Sequence, residues 1–77
     1  MISKISPEIA QKIVDYKLQA KYNNKRLATA ICLEHPEFVD SIFGKNAHIH
    51  YVDNEVLGND LCRMAEYTLH LLIGALA

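Results

Sequence analysis

Between Leu61 and Leu76 the apolar side chains spread over more of a helix than one small core can cover. At about 100° per residue, Leu61, Ala65, Thr68, Leu72 and Leu76 form one row. Met64, Leu69, Leu71, Ile73 and Ala75 widen that row to an arc of roughly 200°. Only Arg63, Glu66, Tyr67 and His70 make a polar strip. A surface helix of a globular protein needs an apolar arc of only ~100° or a little more. The pattern predicts a last helix over about 60–75, capped by Asn59 or Asp60, that packs against something outside its own subunit.

Chain length sharpens that expectation. At 77 residues the sequence predicts one domain, residues 1–77. Folding buries about 63% of the surface of a chain this size. With about 60% of that apolar, burial at ~25 cal/mol/Å² supplies roughly 120 kcal/mol. Ordering the chain at ~1.5 kcal/mol per residue costs about 115 kcal/mol. A lone copy is therefore marginal. The two cysteines, Cys32 and Cys62, are too few for a disulfide framework and point to a reducing, cytoplasmic setting. The segment 1–10 contains Lys4, Ser6, Pro7 and Glu8 and does not read as a signal peptide. No apolar run approaches the ~20 residues of a membrane span. Frequent Ile, Lys, Asn and Tyr with no Trp suit an AT-rich microbial or phage genome.

The first helix starts at Ser6-Pro7-Glu8, where a serine cap, a first-turn proline and an acid all favour a helix N-terminus. It carries two stripes, Ile9-Ile13-Tyr16-Ala20 and Ala10-Val14-Leu18, and is expected to run to about Tyr22 and break at Asn23-Asn24. Asn24 is the expected cap of a second helix. That helix is uncharged from Leu27 to Leu33, an all-round apolar stretch that predicts a central position in the core. Thr29 can return its hydroxyl to the backbone. Pro36 ends this helix and begins a third, with Phe38, Val39, Ile42 and Phe43 inward and Gly44 as its stop. Residues 45–52 predict an irregular or single-turn segment, since a lone strand has no partner. Asp53-Asn54 and Gly58-Asn59 read as turns. The expected fold is all-α, a compact bundle of three to four helices, dimeric through Leu69, Leu72, Ile73 and Leu76.

Net charge is −1, but it is unevenly placed. Residues 1–26 sum to +4 (six Lys and Arg, two acids) and residues 27–77 to −5 (two Lys and Arg, seven acids). Opposite halves attract, within a chain or between copies. The basic half also offers a docking face for an acidic partner, with Tyr16, Lys17, Lys21 and Tyr22 as its candidates.

Four constellations invite a chemical reading. His48-Ile49-His50 would aim both rings to one side if extended, as metal ligands require. Cys32 and His35, and Cys62 with Glu66 and His70, lack zinc-site spacing, so no metal or cofactor is expected. Either cysteine can be paired with a histidine on paper, but apolar neighbours argue against a reactive thiol, and no phosphate loop or nucleophile motif is present. The sequence therefore does not predict an enzyme. The second and third helices have the lengths of a helix-turn-helix, yet Glu34, Glu37 and Asp40 leave the reading segment acidic, with no Lys or Arg from Leu27 to Gly44. Nucleic acid is disfavoured on that ground. Arg63, Glu66 and His70 form an ordinary outer strip of helix pairs. The favoured function is a small cytoplasmic regulator or adaptor, with a phage among its expected sources, that docks on a larger protein. A helix-turn-helix-like DNA-binding regulator and a small metal-binding protein are the alternatives.

Overall fold

The computed structural model describes residues 5–19 and 22–76, with side chains to Gly74. Five helices follow in order: α1 Pro7–Leu18, α2 Asn24–Glu34, α3 Pro36–Phe43, α4 Ala47–His50 and α5 Glu55–Leu76. The fold is all-α: 81% helical, with no strand among the described residues. α5 is the central post, and α1 and α2 both pack along it. α3 and the single turn α4 close the end of the bundle beside α2.

α1 begins where Pro7 predicts, and Ala10 bonds back to the Ser6 carbonyl, although the Ser6 side chain makes no capping bond. The helix is shorter than its pattern suggests. It ends at Leu18, where Gln19 turns extended with φ −79° and ψ 125°. The cap of α2 is Asn23, whose Oδ1 accepts from Arg26 N at 3.0 Å, one residue before the position expected. His35 lies between α2 and α3, as the proline rule requires.

α2 is less central than its uncharged run implies. Leu27, Ala28, Ile31 and Cys32 are buried, but Leu33 is 72% exposed. Thr29 bonds back to Lys25 O at 3.1 Å and also accepts from Asp53 N at 2.9 Å, which ties the loop before α5 to the middle of α2.

α5 starts well before the predicted residue 60. Asn54 Oδ1 accepts from Leu57 N at 2.9 Å and caps the first turn. Gly58 is therefore not a turn residue. It is buried in the helix against the start of α2, where an added Cβ would lie 2.0 Å from Asn24 O. Glycine here lets two helix backbones approach closely.

The buried core runs through Ala10 and Ile13 of α1, Leu27, Ile31 and Cys32 of α2, Val39 of α3 and Leu57, Leu61 and Ala65 of α5. Among the described residues one polar side chain, Thr68, joins the core, and its Oγ1 accepts from Ile5 N at 2.9 Å. That bond, with Lys17 and Leu18 beside Cys62, makes α1 antiparallel to α5. The accessible surface is 5081 Å². Roughly 4,700 Å² is expected for a compact monomer of this mass. Part of the excess is the last two turns of α5, where Leu71, Leu72 and Ile73 stay exposed past Thr68. No helix among the described residues is long and apolar enough to cross a membrane.

Candidate functional site

The antiparallel packing of α1 on α5 leaves an open groove of about 360 Å³ along one side of the bundle. Ile13, Val14 and Leu18 of α1 and Cys62 of α5 form its apolar lining, and Lys17 and Glu66 stand beside them. Leu18 is 79% exposed at one end. The second stripe of α1 creates this edge: Ala10 is buried, Val14 half-buried and Leu18 exposed as the stripe runs off the core. On α5, Cys62, Glu66, Leu69 and Ile73 recur at helical spacing and share a face. Ile73 is 67% exposed at the far end of that face. The result is an elongated strip with an apolar side chain at each end, Lys17 beside Leu18 and Cys62 at one end, and Glu66 one turn further along α5.

The predicted dimer residues separate. Leu69 is half-buried against the core, and Ile73 is exposed on the same face as Cys62. Leu72, 36% exposed, continues the row of Leu61, Ala65 and Thr68 past the body of the bundle. The Leu76 side chain lies outside the described ones. Sequence alone does not mark Leu18 as part of this surface, because the Ala10-Val14-Leu18 stripe has the spacing of a packing face. The early end of α1, which uncovers it, has no local signal before Gln19.

The predicted partner-binding residues separate too. Tyr16 donates its hydroxyl to Glu34 and stacks on Tyr22 with ring centroids 5.0 Å apart. The bond to the Glu34 carboxylate, reinforced by burial, pushes the Tyr16 pKa up to about 12. This pair joins α1 to α2, and Lys12 meets His35 at 3.2 Å across the same junction. Lys17 points to the groove, and Lys21 lies outside the described residues. A shallower depression of about 410 Å³ lies beside Tyr22, Arg26, Thr29 and Ala30.

His48 and His50 fall on the helical turn α4, not on an extended segment, so their rings diverge at ~100° per residue. His48 is held by Asp40, whose Oδ1 receives both His48 Nδ1 at 2.8 Å and His48 N at 3.1 Å. These two bonds hold the Asp40 carboxyl below the usual range. His50 is exposed. Among the described residues no three His, Cys, Asp or Glu side chains converge as metal ligands would.

Both cysteines are free and buried. Burial pushes each thiol pKa up, with Asp40 adding to the effect at Cys32 and Lys17 opposing it at Cys62. Raised thiol pKa values suit packing residues rather than nucleophiles.

No known family model, curated protein or solved structure is similar to this chain. Its surface and side-chain chemistry are the available guides to its function.

Proposed function

We propose that this protein is a small protein-docking module, a regulator or adaptor, whose contact surface is the strip formed by α1 and α5. The observation that carries the reading is Leu18 and Ile73 exposed at the two ends of one groove-bearing face. Large apolar side chains clustered around a concavity and bordered by charge are the ordinary composition of a docking surface. Burying both against a protein surface supplies roughly 2–4 kcal/mol, at about 1.5–3 kcal/mol for a wholly buried side chain scaled to their exposure. Lys17 at the Cys62 end and Glu66 toward the middle of the strip orient a partner and reject surfaces of the wrong polarity.

The test is capture from the organism of origin after crosslinking in the living cell. Wild type should retain a discrete protein, either a second copy or a different chain. Leu18→Asp should lose it at least tenfold while keeping its helical circular dichroism. Capture that is absent from wild type, or unchanged in a folded Leu18→Asp variant, overturns the reading.

A further inference from the structure

We infer that the docking strip is covered by a second copy of this chain, with the two α5 helices antiparallel and Ile73 of each seated over the Cys62 end of the other's groove. This inference rests on the docking reading above and names its occupant.

The register follows from α5 itself. Cys62 and Ile73 lie about three turns apart, roughly 16 Å along the axis and within about 20° of the same direction. A twofold axis crossing the strip between Glu66 and Leu69 exchanges those two ends. The groove beside Val14, Leu18 and Cys62 then receives the exposed Ile73 of the other copy, and the reverse contact forms by symmetry. One end of the strip has a cavity and the other a projecting side chain, so the face is complementary to itself only in this antiparallel sense.

Charge permits the same arrangement. An isologous contact brings like residues together near its axis, so a patch of one sign repels its own copy. Here each Glu66 lies near that axis, and Lys17 of the same copy stands beside Cys62 at the end of the groove. The contact as a whole holds two acids and two bases, which sum to zero. From Tyr67 onward the sequence contains no Asp, Glu, Lys or Arg. The half of the strip that enters the other copy's groove therefore carries no fixed charge into it.

Area sets the strength. Leu18 and Ile73 together expose roughly 230 Å² per copy, on the unfolded-chain scale of about 160 Å² for a residue of leucine mass. Both copies contribute about 460 Å². The smallest specific interfaces bury about 1,200 Å² in all, about 57% of it apolar, or near 680 Å². The two end residues supply about two-thirds of that, and Val14 and Leu69 border the remainder. The dimer therefore lies at or below the small end of specific interfaces, is weak, and exchanges with monomer.

The experiment uses the full chain purified at high micromolar concentration. Isotopically heavy and light copies are mixed, with a photoreactive diazirine amino acid replacing Ile73. Peptide mass spectrometry should place heavy-to-light adducts at residues 13–18 or at Cys62, at least tenfold above those formed with the same probe at Val56. Val56 is equally exposed but lies at the opposite end of α5. A folded Leu18→Asp variant should lose the adducts. No intermolecular adduct from position 73, or equal yield from position 56, overturns the inference. If the purified protein gives no adduct while in-cell capture yields a different chain, the second-copy inference fails and the docking reading survives.

Discussion

Gly58 of α5 and Asn24 of α2 meet backbone to backbone, with no room between them for a single methyl group. A Cβ on Gly58 would lie 2.0 Å from Asn24 O, 2.6 Å from its C and 2.9 Å from its Cα. Every atom in that contact is main chain, so no side-chain rotation relieves it. Gly58→Ala gains about 1 kcal/mol of helix propensity. It also forces α2 and α5 apart, an overpacking cost of about 1–3 kcal/mol or more. The net effect is destabilising. Thermal unfolding should fall by several degrees, at about 4–8 °C per kcal/mol for a domain this size. An unchanged or raised melting temperature would show that the helices separate freely there.

Thr68 is the polar member of the buried core among the described residues, and it anchors Ile5, two residues before α1. Thr68→Val keeps shape but removes the acceptor, leaving Ile5 N–H without its partner at a cost of about 1–3 kcal/mol. Thr68→Ser retains the oxygen. Chemical denaturation should rank wild type above Thr68→Ser and both above Thr68→Val in free energy. A valine variant as stable as wild type would mean that the bond contributes nothing.

Asp40 links α3 to α4 by accepting from both His48 groups. Its folded pKa lies below its unfolded value, so the stabilisation is present above the unfolded value of about 3.9. It is lost as pH falls through the folded value. Asp40→Asn should therefore flatten the acid limb of stability against pH below about pH 4. Parallel acid limbs in the two proteins would contradict the link.

The Tyr16–Glu34 bond predicts the opposite limb. A folded pKa of about 12 exceeds the ordinary tyrosine value of 10.0. The stabilisation is fully present below pH 10.0 and is lost as pH rises through about 12. Ultraviolet titration of tyrosinate should show a component near pH 12 that vanishes in Tyr16→Phe and moves down in Glu34→Gln. Its persistence in Tyr16→Phe would assign it elsewhere.

The helical architecture was legible because period and punctuation agree over most of the chain. Pro7, Pro36 and Gly44 all stand at the boundaries they predict. The failures share a cause in long-range contact. Gly58-Asn59 reads as a turn locally, and only the approach of Asn24 explains why glycine is needed inside a helix. Leu33 looks like core because its neighbours do, yet nothing packs on its side of α2 closely enough to bury it. His48-Ile49-His50 resembles a ligand pair only while extended, and Asp40 holds it helical. At the α1–α5 strip, the surplus apolar arc of the last helix was readable and its exposed end is observed. The groove was not readable, since it depends on α1 lying antiparallel to α5 and on its ending at Leu18.

The central claim is that the α1–α5 strip is a protein contact, formed between copies when no other chain is present. Sedimentation equilibrium across micromolar to millimolar concentration tests it most directly. The average mass of wild type should rise from 8.7 kDa toward twice that value. Ile73→Asp should remain at 8.7 kDa throughout with unchanged helicity. A wild type that stays at 8.7 kDa across the whole range, or an Ile73→Asp variant that dimerises equally, would contradict the account.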